Sequence, residues 1–168
     1  MLNQEQGSSL KTTADSDRRS FIKQVAAACF YSILPFKNMI MTNPVGVTVR
    51  KSQYSVKETI NRLQAALEQH NITIYARIDQ QEELQRAGQI IAPLEFLMFG
   101  NPKAGGPVMI ENPMAALDLP LKVIAWQNEQ QVVHVAYNDA AYIKNRYALS
   151  AGVTAPLDLD ALISKLLS

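Results

Sequence analysis

LKVIAWQNEQQVVHVAY, residues 121–137, decides the fold class. Two runs rich in β-branched and aromatic residues, Leu121–Trp126 and Gln131–Tyr137, flank the polar turn pair Asn128-Glu129. So short a connection joins antiparallel neighbours, because a parallel pair needs a crossover of a dozen or more residues. At least part of the sheet is therefore antiparallel.

Upstream, Val45, Val47 and Val49 alternate with Gly46, Thr48 and Arg50, which predicts a half-buried strand. Ser55 and Glu58 form a capping box, each able to satisfy amides left open at a helix start. Val56, Ile60, Leu63, Ala66 and Leu67 follow on one helical face, ending near His70-Asn71. Ile72, Ile74 and Ala76 alternate with Thr73, Tyr75 and Arg77 in a second strand. Asp79 and Glu82 open a short helix that Gly88 stops, and Leu94–Phe99 is apolar throughout except for Glu95. Asn138-Asp139 caps a helix bearing Tyr142 and Tyr147, and Asp158 caps a last one with Leu159, Leu162, Ile163 and Leu166. The predicted class is α+β: a two-layer sandwich, mostly antiparallel, with helices on one sheet face.

The third strand and the hairpin are joined by FGNPKAGGPVMIENPMAALDLP, residues 99–120, crowded with Gly100, Pro102, Gly105, Gly106, Pro107, Pro113 and Pro120. This composition predicts a long loop. Gly100 and Gly105 match the first part of a phosphate-binding loop, but Gly106 and Pro107 stand where Lys and Ser/Thr are needed. NTP hydrolysis is excluded on that ground. A weaker anion site remains open, with Pro107 in a helix's first turn and the amides near Gly105 and Gly106 receiving the anion. Turn geometry alone explains the same residues.

The 168 residues suffice for one domain. Residues 1–40 carry five basic and three acidic side chains, and residues 41–168 carry eleven and twelve. A body without basic excess is not a nucleic-acid binder. Within residues 1–40, Arg18 and Arg19 precede Ser20, Phe21, Ile22 and Lys23, then thirteen uncharged residues, Gln24 to Phe36. The pattern resembles a twin-arginine export signal, with Asp17 where Ser or Thr is preferred and Ile22 in place of Leu. Its apolar run is too short to span a bilayer, so no stable transmembrane segment is expected. The expected organisation is a leader at 1–40 and one domain at 41–168, located in the periplasm or cell envelope. A start at Met39 or Met41 would instead give a cytoplasmic protein. Cys29, the one cysteine, belongs to the apolar run, with lipidation as a minor alternative. Thiol chemistry and Cys-based metal sites are absent from the body.

FGNPKAGGPVMIENPMAALDLPLKVIAW, together with VHVAYNDAAYI and SVKETINRLQAAL, resembles the domain-of-unknown-function family 302 over about residues 45–149. The resemblance implies a compact α+β fold and a homodimer, and it names no activity. Two departures stand out: Gly105-Gly106 where Gly-Thr is usual, and Asp79-Gln80 where Asp-His is frequent. Glutamine neither titrates nor binds metal well, so a histidine-based site cannot be carried over.

Asn101, Lys103, Gly105, Asp118, Tyr137 and Asn138 lie in the matching motifs and are the candidate ligand-binding residues. Lys103 would attract an anion, Asp118 accept hydrogen bonds and Tyr137 donate one. His70 and His134 have no partner at metal-ligand spacing and are read as structural, so no metal is expected. No cofactor is indicated, and catalytic residues are unassigned. The leading expectation is an exported, non-catalytic small-ligand or interaction domain, using the twin-arginine machinery. The alternatives are a small envelope enzyme using Asp118, Lys103 or Tyr137, and a structural partner in an envelope assembly.

Overall fold

The computed structural model describes residues 43–167. The export residues Arg18, Arg19 and Phe21, and Cys29, lie outside the described residues. Five strands, β1 Val47–Ser52, β2 Thr73–Asp79, β3 Leu94–Gly100, β4 Leu121–Gln127 and β5 Val133–Asn138, form one sheet in the order β1-β5-β4-β3-β2. All four pairings are antiparallel. The helices are α1 Val56–Gln69, α2 Gln80–Arg86, α3 Pro102–Glu111, α4 Ala140–Arg146, α5 Ala151–Thr154 and α6 Asp160–Leu167, with 3-10 turns at Pro113–Leu117 and Ala155–Leu157. The α+β sandwich is the expected one.

Pleating sorts the strands into two faces, because successive side chains point to opposite sides. Register places Arg77, Leu97, Val123, Tyr137 and Thr48 in one row, and Asp79, Glu95, Ala125, Val135 and Arg50 in the next. These rows carry the core: Leu97, Val123, Ala125, Val135 and Tyr137 are buried. Helix α1 supplies Val56, Ile60, Leu63, Ala66 and Leu67 from one side of its cylinder, and α6 supplies Ile163 and Leu167. Ser55 Oγ accepts from the Glu58 amide at 3.2 Å and Asp79 Oδ1 from the Glu82 amide at 2.9 Å, so both predicted caps form. Asp158 accepts from the Asp160 amide at 2.9 Å and opens α6.

Three sequence expectations change. Residues 99–120 are not a loop: Asn101 caps α3, with Pro102 in its first turn, and Asn112 caps the following 3-10 turn. Proline opens each because its missing amide has no partner to lose there. Pro107 lies inside α3 and not at its start, and the Gly105 amide already donates to the Asn101 carbonyl at 2.9 Å. The proposed anion site at Gly105-Gly106 is thereby removed.

The second change concerns β2. A bulge between Ile74 and Ala76 breaks its alternation: Ile74 pairs with Phe99 on the core side, and Ala76 with Met98 on the other. Tyr75 is the inserted residue, and a bulge re-aims such a side chain. Third, Val47 and Val49 lie on the sheet face away from the helices, while Arg50 faces them. Gly46, just before β1, has φ +79°, and a Cβ there would stand 2.0 Å from Cγ of Tyr142. Only glycine meets both demands.

Arg77 ties β2 to its surroundings. Its guanidinium pairs with Glu95 at 2.7 Å and donates to Asn61 Oδ1 of α1 at 2.8 Å. Glu95 is 6% exposed, so its carboxylate is reached by that partner and little water. Arg77→Met should destabilise the domain by about 3 kcal/mol, since an orphaned buried carboxylate is costly. Arg77→Met with Glu95→Leu should recover most of the loss, read as the urea midpoint at unchanged slope.

Candidate functional site

A mainly apolar cavity of about 170 Å³ opens where α3 leaves β3. Phe99, Gly100, Asn101, Pro102, Ala104, Gly105 and Met109 line it from the β3–α3 segment. Leu119, Pro120 and Leu121 line it from the start of β4, with Ile72, Tyr75, Pro156, Leu157 and Leu159 completing the wall. Phe99, Leu121, Leu157 and Leu159 are buried, whereas Tyr75 (47% exposed) and Met109 (38%) face the opening. The β2 bulge brings the Tyr75 ring against Gly100, where an added Cβ would meet its Cε2 at 3.3 Å. Strict alternation hides Tyr75 from sequence reasoning, because bulges leave no period-2 signature.

Of the candidate residues, Asn101 and Gly105 line this cavity. The Asn101 carboxamide oxygen accepts from the Lys103 amide at 2.9 Å, so it shapes the cavity by capping α3. Gly105 leaves room: a Cβ there would lie 3.9 Å from Leu119 Cδ1. Lys103 sits exposed between the lining residues Pro102 and Ala104.

The other three candidates are placed elsewhere. Asp118 accepts from the Tyr147 hydroxyl at 2.7 Å and from Arg146 at 3.1 Å, and Asn138 approaches it at 3.5 Å. That group fastens α4 to the segment before β4. Burial, and then the hydrogen bond to Asp118, raise the Tyr147 phenol. Tyr137 and Asn138 are adjacent in β5 and so point to opposite faces. Tyr137 faces the helices, donating to Asp160 Oδ1 at 2.5 Å and accepting from Arg50 Nε at 3.1 Å. Arg50 Nη2 also meets Asp160 Oδ2 at 2.6 Å. Burial, then the bond to Asp160, push the Tyr137 phenol up to about 12, so it is no base at neutral pH. The Arg50 guanidinium, then the Tyr137 hydroxyl, hold the Asp160 carboxyl below its usual range. The six candidates therefore do not line one pocket.

Both histidines stand where the sequence put them. His70 is the C-cap of α1. His134 stacks on Trp126 with ring centroids 5.2 Å apart, and burial, then Lys51, lower its pKa. Among the described residues no three His, Cys, Asp or Glu side chains are placed to hold a metal ion.

The strand–helix–strand geometry that frames the cavity coincides with a family pattern. The family model "Domain of unknown function DUF302" matches residues 47–166. The chain belongs to this family. A DUF302 crystal structure from Bacillus stearothermophilus, an uncharacterised conserved protein, superposes with TM-score 0.61 at 19% identity. It covers 74% of this chain and 97% of its own, so the DUF302 fold is shared. Among curated relatives, "Fluoride-specific ion channel FluC 1" of Brucella suis is 29% identical over 119 residues, 71% of this chain and 46% of its own length. "Fluoride-specific ion channel FluC 2" of Brucella melitensis matches at 29%, over 43% of its length. The DUF302 chain thus spans less than half of these relatives. No helix among its described residues is long and apolar enough to cross a membrane.

The Arg50–Tyr137–Asp160 group predicts a pH response. A phenol raised on folding contributes stability that is complete below its unfolded pKa of about 10 and lost as pH climbs through about 12. Relative to Tyr137→Phe, the wild type should lose melting temperature over that window. The lowered Asp160 carboxyl acts oppositely, contributing above its ordinary pKa and losing that contribution as the solution is acidified. Melting curves of both proteins against pH test this.

Proposed function

We propose that this DUF302 chain is an exported, non-catalytic binding domain that takes a small apolar ligand in the cavity beside Tyr75. One observation carries the reading: both ends of the Gly/Pro-rich segment, Phe99–Pro102 and Leu119–Leu121, wall the same cavity. An apolar, largely preformed pocket is what small-molecule sites share. The enzyme alternative has less support, because Tyr137 and Asp118 are each engaged in a separate hydrogen-bonded group, and Lys103 belongs to neither.

The domain works as a homodimer through the sheet face opposite α1 and α6. On that face Ile78, Phe96, Ile124, Ala136 and Val49 form one apolar row across all five strands, with Trp126, Leu94 and Met98 beside it. None of these side chains belongs to the cluster packed under the helices, although Ala136 is itself only 8% exposed. Five strands of about six residues span roughly 24 by 20 Å. Such a face is of the order of the roughly 800 Å² that each partner gives to a standard interface.

The channel-named relatives favour an accessory role. Their membrane spans would come from the parts of those proteins beyond the matched segment, since pores need spanning helices or barrels. In them the domain would be a binding module attached to a membrane partner.

Native mass spectrometry of the full chain tests ligand and assembly together. A dimer carrying a small adduct is expected. Gly105→Leu should lose the adduct and keep the dimer, and Phe96→Lys should yield monomer. A wild-type monomer with no adduct would overturn the reading. Export is tested separately, by fractionating cells that express a tagged full-length chain. Arg18→Lys with Arg19→Lys should trap it in the cytoplasm, and an unchanged distribution would discard the twin-arginine route.

A further inference from the structure

Resting on the pocket reading, we propose a ligand class: an uncharged molecule built on a single aromatic ring. The wall sets the charge. Among the described lining residues there is no Lys, Arg, His, Asp or Glu, and the side-chain nitrogen and oxygen atoms belong to Tyr75 and Asn101 alone. The Asn101 carboxamide oxygen already accepts from the Lys103 amide at 2.9 Å. An ionic group carried inside would lose its water with no opposite charge to meet. The size follows from the volume: about 170 Å³ is close to the roughly 150 Å³ of an apolar cavity that admits benzene.

Aromatic character is assigned from three side chains of the wall, Tyr75, Phe99 and Met109. Gly100 seats the Tyr75 ring. An added Cβ there would stand 3.3 Å from Tyr75 Cε2 and 3.5 Å from Pro120 Cβ, so both rings rest on one stretch of bare backbone. Gly105 does the same for the thioether end of Met109, whose Cε would lie 4.0 Å from a Cβ at that position. Phe99, 2% exposed, is fixed in β3. An aromatic guest gains ring contacts with Tyr75 and Phe99 and a sulfur contact with Met109, both beyond the area it buries. An aliphatic guest of the same outline gains the buried area only.

Calorimetric titration of the full chain with toluene, methylcyclohexane, naphthalene and benzoate tests the assignment. Affinities of the three hydrocarbons are compared after division by each probe's water-to-hexadecane partition coefficient, which removes the difference in hydrophobicity. On that scale toluene should exceed methylcyclohexane about fivefold. Naphthalene, whose second ring finds no room, should fall about tenfold below toluene. Benzoate should show no saturable binding. Tyr75→Leu and Met109→Leu should each reduce the preference for toluene over methylcyclohexane about twofold to threefold, with the melting temperature retained. Equal binding of toluene and methylcyclohexane, or a preference unmoved in both variants, would overturn the aromatic assignment and leave the pocket reading intact. Benzoate bound as tightly as toluene would overturn the uncharged class, and naphthalene equal to toluene the single-ring limit. No saturable binding of any probe would remove the pocket reading itself.

Discussion

The antiparallel register across the sheet constrains everything else in this molecule. Val123 stands opposite both Leu97 and Tyr137, and Ala125 opposite both Glu95 and Val135, so the apolar side chains of three central strands meet on one face. That face is covered by α1 and α6, and burial of apolar area there is the main force holding the layers together. The same pleat necessarily sends Phe96, Ile124 and Ala136 to the other side, away from α1 and α6. A slip of one residue would exchange the two faces completely. The core and the open apolar face are therefore two consequences of one pairing.

On this frame, polar side chains act mainly as fasteners. Arg77 joins β2 to Glu95 and α1, Asp160 draws Arg50 and Tyr137 towards α6, and Asp118 holds Tyr147 and Arg146. Asn101, Asn112 and Asp139 are spent on helix ends. The side chains that line the cavity are mainly apolar: proline rings, Leu119, Met109, the Phe99 ring and the re-aimed Tyr75.

The shared fold extends across nearly the whole of the Bacillus stearothermophilus structure, and the match to the channel-named proteins covers less than half of each. A compact domain that recurs alone and within longer chains behaves as a module whose role depends on what it binds and what it is joined to.

Local chemistry made much of this legible in advance. The hairpin, the two capping pairs, the apolar stripe of α1 and the structural placement of both histidines depend on neighbours within a few residues, and each was readable from the chain. The α+β class followed from them. Residues 99–120 were misjudged because glycine and proline lower helix propensity whatever the context, and packing of Val108 and Ala115 into the core outweighs that weak preference. The candidate residues are dispersed for a related reason: Asp118, Tyr137 and Asn138 are engaged by partners distant in sequence, which local motifs do not show. Arg50 and Asp160 are 110 residues apart, and the pairing of β1 with β5 brings together the two ends of the domain. Sequence by itself determined the hairpin, the helix caps and the apolar stripe of α1, which depend on neighbours within a few residues. Strand order, the bulge at Tyr75 and the sheet face that α1 and α6 cover were decided only by tertiary structure, because they depend on long-range pairing that local patterns do not encode.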